Sequence, residues 1–211
     1  LVQRLWRGET LSFVGADGEP TPITVYPRPL QKELNVWLLV TSNDEGFIHA
    51  GKQGYNIFTM LYGNNLDVMS KKFALYRQAR EQAGFDPDTG IITLMLHTLL
   101  LENQQAVHDA VHTPFKEYIK SALNAHVKAA FDEKGGTELT QAEKDKMLDY
   151  AYQRYFKTGA LFGSVADGRD MVEQVRAAGV NDIACLVDFG VDYTIVHRSL
   201  HYLKQLVAEY L

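Results

Sequence analysis

Short apolar runs alternate with amphipathic stretches along most of this chain. Residues 36–40 are almost all apolar, and further apolar runs occupy residues 55–61, 91–100 and 182–189. Runs of this length, bounded by turn residues, are typical of strands that are buried on both faces. The pattern predicts four buried strands, three followed directly by a helix and one followed by a long excursion.

Helix-start residues stand between these runs. Asn65 precedes apolar residues spaced three and four apart, and Gly84 suits the end of that helix. Thr140 opens a capping-box pattern, and Ser164 starts the helix that leads into the last strand. Each apolar run is therefore separated from the next by at least one predicted helix.

The excursion covers residues 104–163. Within it, Thr113-Pro114 predicts a helix start, because proline is favoured at the first helical position, and Gly135-Gly136 predicts a break. Strands that alternate with helices predict a parallel sheet with right-handed crossovers. Four such units amount to half of an eight-fold α/β barrel.

Composition narrows the class of protein. The chain has 211 residues, 46% hydrophobic and 22% charged, with a net charge of −5. That balance favours neither nucleic acid nor an anionic membrane, and no apolar run approaches the roughly 20 residues that span a bilayer. Cys185 is the only cysteine, so a cytoplasmic setting is expected, and its place in an apolar run predicts a packed core thiol.

Polar residues follow the first buried strand. Thr41, Ser42 and Asn43, called here the 41–43 turn, lie at the predicted carboxyl end of that strand and at the start of a helix. Ligands bind at this end of the strands in α/β folds, and free backbone N–H groups at a helix start suit a phosphate. The alternative is that Ser42 and Asn43 only cap the helix.

Several stretches resemble one enzyme family. They are, in order, Leu5-Trp-Arg-Gly-Glu9, Pro27-Arg-Pro29, Leu75-Tyr-Arg77 with Ala83-Gly84, Leu94-Met-Leu-His-Thr98, Tyr155-Phe156 with Leu161-Phe-Gly163, and Asp182-Ile-Ala-Cys-Leu-Val-Asp-Phe-Gly-Val191. Together they resemble the FMN-dependent bacterial-luciferase-like monooxygenases, and most closely the subgroup encoded beside or within nonribosomal peptide and polyketide synthases. The 41–43 turn departs from that subgroup, which has small residues and glycine there.

The resemblance implies a fold and a domain. It implies the C-terminal half of a luciferase-like (β/α)8 TIM barrel, with about four parallel strands and a long helical insertion before the last strand. Residues 1–211 would form the C-terminal part of a single barrel domain. Within it, residues 1–35 would be a helix end and a hairpin, and residues 104–163 the insertion.

The resemblance also implies an activity. Reduced FMN from a separate flavin reductase would react with O2, and the intact oxidoreductase would oxidise a small molecule or a carrier-protein-bound intermediate of secondary metabolism. The missing half of the barrel would leave open strand edges, which favour a homo-oligomer or association with that N-terminal half.

Six residues at three places in the chain are implied as cofactor contacts. The family binds the FMN phosphate at the strand end that corresponds to the 41–43 turn. Thr59 ends the next strand, where its hydroxyl either faces the flavin or bonds to the backbone. Gly163 and Ser164 resemble a helix-opening turn near the barrel mouth, with capping of the helix as the alternative.

Two titratable residues are candidates for catalysis. His97 interrupts an apolar strand, and its near-neutral pKa suits a proton shuttle to flavin or substrate. The alternative is a hydrogen-bonded core histidine. Asp188 resembles the acidic residue of the family's last strand, where it would orient a base or bind substrate, or else cap a helix or pair with arginine.

Two other functional classes remain open, and no metal site is expected. The missing strands favour a non-catalytic flavin-binding or structural half-barrel, and a phosphate-binding barrel enzyme such as an isomerase or lyase is the second rival. The pairs His108/His112 and His197/His201 have metal-compatible spacing, but neither has an evident third ligand. Surface or interface histidines are therefore the preferred interpretation.

Overall fold

The structure, a computed structural model, describes residues 1–61, 63–134 and 140–211, with the backbone alone over 122–134. The helices are α1 (Val2–Trp6), α2 (Asp44–Lys52), α3 (Leu66–Gln82), α4 (Gln104–Lys134), α5 (Gln141–Arg154), α6 (Val165–Ala177) and α7 (Tyr193–Val207). The strands are β1 (Leu11–Val14), β2 (Pro20–Ile23), β3 (Trp37–Leu39), β4 (Asn56–Met60), β5 (Ile92–Leu100), β6 (Ala160–Gly163) and β7 (Asp182–Leu186). No helix in these ranges is both long enough and apolar enough to cross a bilayer.

Strands β3 to β7 form one parallel sheet, as the alternation of strands and helices predicts. Strand β3 pairs with β4, and β4 pairs with β5. Strand β7 pairs with the first part of β5 and β6 pairs with the last part. The two ladders meet at His97, which is opposite both Ala160 and Leu186. Strands β1 and β2 form a separate antiparallel hairpin.

One face of the sheet is covered by helices. Ile57, Leu94 and Leu96 on this face are fully buried and belong to one core with Phe47 of α2 and Phe73 of α3. Because successive strand residues point to opposite faces, the register assigns the intervening positions of β3, β4 and β5 to the other side. Leu99 on that side is buried under α4; we call the part that α4 leaves uncovered the open face, and its apolar members are Trp37, Leu39, Phe58, Met60 and Met95.

Exposure on the open face corrects the prediction that residues 36–40 form a strand buried on both sides. Trp37 is 42% exposed and Leu39 is 60% exposed. The physical reason is that β3 pairs only with β4 within the described residues and no described helix covers its open face. The apolar run reflects burial that this chain does not provide by itself.

A second core lies under α4. Val107, Val111, Phe115 and Ile119 form a buried stripe along this helix and pack with residues of β5 and β6. The helix continues through Pro114, so the prediction of a helix start there was wrong. The stripe is continuous on both sides of the proline, and its burial outweighs the backbone hydrogen bond that proline cannot donate.

The last two strands also differ from expectation. Strand β6 was not predicted, because four residues are too few to give a clear period. Strand β7 ends at Leu186, earlier than the apolar run. Cys185 is exposed, so the prediction of a packed core thiol was wrong. It borders an open cleft of about 750 Å³ lined by residues of β7, α6 and α7.

The helix starts predicted at Asn65, Thr140 and Ser164 are confirmed. Asn65 caps α3 through its side chain, and Gly84 follows that helix with a φ of +85°. Thr140 and Ser164 each form a complete capping box. The predicted break at 135–136 lies outside the described residues.

We predict that Gly51→Ala destabilises the fold. A Cβ at Gly51 would lie 2.5 Å from the carbonyl oxygen of Tyr76 and 2.8 Å from Cβ of Ala79, so α2 and α3 would have to separate. Overpacking of this kind costs about 1–3 kcal/mol. Urea denaturation should show a lower midpoint than for the wild type.

The matched control is Lys52→Ala at an exposed position of the same helix. It should leave the free energy of unfolding unchanged within about 0.5 kcal/mol. Helix propensity alone would make Gly51→Ala stabilising. A raised midpoint for Gly51→Ala would therefore show that the close contact between the two helices is not rigid.

Candidate functional site

The 41–43 turn connects β3 to the start of α2. Asn43 is the N-cap of α2, and its Oδ1 accepts a hydrogen bond of 2.9 Å from the backbone N–H of Glu45. Ser42 is exposed, and its carbonyl oxygen accepts a hydrogen bond of 2.8 Å from Nζ of Lys72 on α3. Thr41 is half-buried. Capping is therefore established for Asn43, while the hydroxyl of Ser42 remains at the surface.

The charges beside this turn oppose one another. Asp44 and Glu45 occupy the first turn of α2, where carboxylates interact favourably with the helix dipole but repel an anion. Lys72 forms an ion pair with Asp44, and its side chain is only 14% exposed. An anion at the turn would depend on Lys72, whose charge offsets one of the two carboxylates. The sequence alone gave no indication of this lysine, which is distant in the chain.

The structure places Thr59 on the helix-covered face. Its register partner is Leu94, and Thr59 is fully buried. Its Oγ1 has no hydrogen-bond partner among the described residues. The side chain therefore lies on the side of the sheet opposite His97, and neither interpretation of its hydroxyl, as a flavin contact or as a group bonded to backbone, describes this geometry.

Gly163 and Ser164 form the junction of β6 and α6. Gly163 has a φ of +139°, and a Cβ there would lie 2.6 Å from Cβ of Asp167. Ser164 donates through its hydroxyl and its backbone N–H to the carboxylate of Asp167, at 2.7 and 2.8 Å. Burial alone raises the pKa of Asp167, but hydrogen bonds from Ser164 and Gln104 outweigh it and lower the pKa overall. The geometry of this junction is that of a cap.

His97 lies at the centre of an aromatic cluster. It is 7% exposed. Four rings surround it at tilts of 62° to 84°, with centroid distances of 4.9 Å to Phe115, 5.1 Å to Tyr118, 5.7 Å to Tyr155 and 5.7 Å to Phe189. We call His97 and these four residues the aromatic box. It joins β5, α4, the π-helix Tyr155–Gly159 and the loop after β7.

The environment of His97 keeps its imidazole neutral. Burial lowers the pKa of His97 to about 4. The Nε2 atom is buried and has no hydrogen-bond partner within the described residues. A neutral imidazole is able to accept or donate one hydrogen bond at Nε2, but at neutral pH it carries no extra proton to deliver.

Asp188 lies outside the sheet. It is exposed and follows the end of β7 by two residues. No hydrogen bond or ion pair joins Asp188 to His97 among the described residues, although its neighbour Phe189 belongs to the aromatic box. The chain therefore brings Phe189, and not the carboxylate, to the histidine.

A hydrogen-bonded chain across the open face was not predicted. Nε1 of Trp37 donates to Oγ1 of Thr93 at 3.1 Å, and Thr93 donates to Oδ2 of Asp182 at 3.1 Å. It links β3, β5 and β7 near their amino-terminal ends. The three residues are far apart in sequence, and only the strand register reveals that they share a face.

The two histidine pairs differ in their surroundings. The rings of His108 and His112 lie 5.3 Å apart, and both contact the ring of Tyr152. Within residues 1–61, 63–121 and 140–211, whose side chains the structure describes, no group of three or more His, Cys, Asp or Glu side chains has a geometry that could hold a metal ion. His197 and His201 are exposed on α7.

Parallel strands covered by helices on one face, with polar residues at their carboxyl ends, define an α/β barrel fold of the kind that enzymes use. The chain belongs to the luciferase-like monooxygenase family, whose model matches residues 1–182. The fold is that of a luciferase-like (β/α)8 TIM barrel, of which the chain forms a part. None of the curated proteins compared with the chain matches it.

Solved structures share this fold at low sequence identity. The monooxygenase RslO1 from Streptomyces bottropensis matches 100% of the chain with a TM-score of 0.73 and 20% identity, and 59% of its own length is covered. The oxygenating constituent of 3,6-diketocamphane monooxygenase from the CAM plasmid of Pseudomonas putida, in complex with FMN, matches 98% of the chain with a TM-score of 0.64, 15% identity and 60% of its own length.

A third relative has a different cofactor. The coenzyme F420 dependent tetrahydromethanopterin reductase from Methanopyrus kandleri matches 94% of the chain with a TM-score of 0.65 and 12% identity, and 60% of its length is covered. The chain thus spans about three fifths of the length of each of these three structures. The described elements correspond to part of a larger barrel.

We predict that His97 makes stability depend on pH. The folded imidazole binds its proton near pH 4, whereas an unfolded histidine binds it near pH 6.5. The unfolded chain therefore binds more protons in this window, so stability is fully present above pH 6.5 and decreases as the pH falls. The loss due to His97 should approach about 3 kcal/mol near pH 4.

The variant His97→Phe keeps an aromatic ring and removes the titrating group. Urea denaturation at several pH values should give a flatter pH dependence than for the wild type. Above pH 6.5 the variant should be equally stable or more stable, because a buried unpaired nitrogen costs about 1–3 kcal/mol. Parallel curves for the two proteins would contradict a neutral, buried His97.

Proposed function

We propose that this chain is the C-terminal part of a flavin-dependent monooxygenase. Membership of the luciferase-like monooxygenase family over residues 1–182 is the observation that carries the proposal. The geometry supports it, since the apolar open face lies between the 41–43 turn and the aromatic box. That arrangement suits a planar cofactor with an anionic tail.

The residues present fit FMN, apart from one unfavourable charge interaction. Leu39, Phe58 and Met60 supply apolar surface for the ring system, and the hydroxyl of Ser42 with Nζ of Lys72 supplies donors for the phosphate. The carboxylates beside the turn oppose the phosphate. F420-dependent enzymes are among the structural relatives, and FMN is preferred here because its terminal phosphate suits the donors at the turn better than an internal phosphodiester does.

Bound reduced FMN would supply the reaction with O2, while the chain supplies position and electrostatics. The open face would exclude water from the ring, and the neutral His97 would hold a polar group by a hydrogen bond without delivering a proton. Asp188 is exposed, which suits a contact with a polar part of the substrate or with a partner at the surface better than orientation of His97.

The remaining elements of the proposal follow from the family resemblance of the chain. A separate flavin reductase supplies reduced FMN in the cytoplasm. The substrate is a small molecule or an intermediate bound to a carrier protein, in secondary metabolism of the nonribosomal peptide and polyketide type. The rest of the barrel precedes this chain.

We predict that the chain binds FMN more tightly than riboflavin. Riboflavin lacks the phosphate, so the difference reports on the turn alone. Loss of one charge-assisted contact weakens binding roughly tenfold or more. Titration followed by quenching of flavin fluorescence measures both affinities, and equal affinities would contradict a phosphate site at the 41–43 turn.

The matched variants are Ser42→Asp and Ser12→Asp. Both add one negative charge, but Ser12 lies on the separate hairpin. Ser42→Asp should remove the preference for FMN, while Ser12→Asp should retain it.

If FMN binds but no oxidation follows addition of reductase and substrate to the complete barrel, the chain is a non-catalytic flavin-binding module. Binding of sugar phosphates without flavin would indicate the isomerase or lyase class.

We propose further that the open face is covered by the rest of the barrel, and that a second copy covers it when this chain is alone. Leu39 is 60% exposed, and large exposed apolar surfaces promote association. Light scattering should therefore detect dimers or larger species at micromolar concentration.

Leu39→Lys should shift the population toward monomer, because a charge on the covered face opposes its burial. The control is Leu200→Lys, at a position on α7 that is 45% exposed. It should leave the distribution unchanged. A monodisperse wild-type monomer would contradict the association.

A further inference from the structure

The aromatic box contains a polar group that the fold does not use. Nε2 of His97 is buried and unpaired among the described residues, and the ring as a whole is 7% exposed. A buried donor or acceptor without a partner destabilises a protein by about 1–3 kcal/mol. A phenylalanine would fill the same space without that cost, so the nitrogen has no structural role that the contacts reveal.

The walls of the box contain no charge. Ring contacts to His97 come from Phe115, Tyr118, Tyr155 and Phe189, and the imidazole itself is neutral at pH 7. All four wall residues have aromatic side chains without a formal charge. A charged ligand group would lose its hydration here without gaining a counter-ion.

The backbone beside the box is irregular. Tyr155 is the first residue of the π-helix Tyr155–Gly159, which directly follows α5. Single π-helical turns are rare and occur frequently at functional sites, because they reposition side chains at a cost in backbone geometry. A Cβ at Gly159 would lie 3.1 Å from the ring of Tyr155, so the glycine leaves room for that ring.

The rim of the box is accessible on one side. Tyr118 is 37% exposed, whereas Phe115 is fully buried and Phe189 is 2% exposed. Tyr118 and Phe115 are stacked with an interplanar angle of 11° and a centroid distance of 6.0 Å. A rotation of the Tyr118 side chain would open a slot beside His97 that is walled by parallel and perpendicular rings.

Resting on the proposed function, we propose that the aromatic box is the substrate subsite for an uncharged, planar aromatic group that carries a hydroxyl or carbonyl. The ring of the substrate takes the place that Tyr118 vacates, and its polar atom forms a hydrogen bond with Nε2 of His97. Aromatic edges and faces on the walls favour a planar ring over an aliphatic chain. The absence of charge selects against a carboxylate.

The test is a titration with 2-naphthol, which is uncharged at pH 7, and with 2-naphthoate, which has the same ring system and a negative charge. The chain is labelled with ¹⁵N in its histidine rings, and NMR detects Nε2 of His97. We expect 2-naphthol to shift this resonance saturably and 2-naphthoate to bind at least about tenfold more weakly. Absence of a saturable shift, or equal binding of the two probes, would overturn the subsite.

Two variants separate the hydrogen bond from the ring contacts. His97→Phe should weaken 2-naphthol binding roughly three- to tenfold and leave naphthalene binding unchanged. Should that variant fail to fold, Tyr118→Leu at the exposed rim keeps Nε2 and removes the ring that the ligand must displace, so it should strengthen the binding of both 2-naphthol and naphthalene. The control His197→Phe, on the exposed side of α7, should change neither. Unchanged 2-naphthol binding in whichever of the two box variants folds overturns the proposal.

The flavin titration distinguishes this failure from failure of the proposed function. A chain that prefers FMN to riboflavin but does not bind 2-naphthol retains the flavin function and loses the aromatic subsite. A chain that binds 2-naphthol at His97 but no flavin loses the proposed function, and the box then stands as an independent site for aromatic ligands.

Discussion

Strand β5 is the constraint on which the rest of the sheet depends. Among the described strands, β4, β6 and β7 all pair with it. Its side chains are packed against helices on one side and against the α4 core on the other. A shift of one residue would exchange its two faces and break three ladders together. The position of His97, where two of these ladders meet, is therefore fixed as firmly as any in the chain.

The sequence predicts elements well where a local pattern decides them. Helix caps at Asn65, Thr140 and Ser164 depend on neighbouring residues, and all three form. Burial depends on what covers a strand, and this explains the errors at Trp37 and Cys185. The face of the sheet on which Thr59 lies depends on the strand register, which no local sequence pattern predicts. The aromatic box joins four elements, so single residues such as His97 were identifiable, but their common location was not.

Some polar atoms are buried by side-chain packing without gaining a hydrogen bond. Oγ1 of Thr59, Nε2 of His97 and Oη of Tyr152 are buried without a partner among the described residues. Burial raises the pKa of Tyr152 to about 12, with Asp109 adding to the effect, so its hydroxyl stays protonated. Of these, His97 lies beside Tyr118, the exposed rim of the aromatic box, which is why its nitrogen supports a ligand.

Charge is unevenly divided over the candidate site. Lys72, Asp44 and Glu45 gather at the 41–43 turn, whereas the aromatic box carries none. Strand β4 lies between these two places, which puts them roughly 10 Å apart across the sheet at the usual strand spacing. An anionic group belongs at the first place and an uncharged one at the second. A cofactor held by its phosphate at the turn would therefore extend over the open face and leave the box to the substrate. Because His97 is neutral, the box then favours an uncharged substrate group over an anionic one.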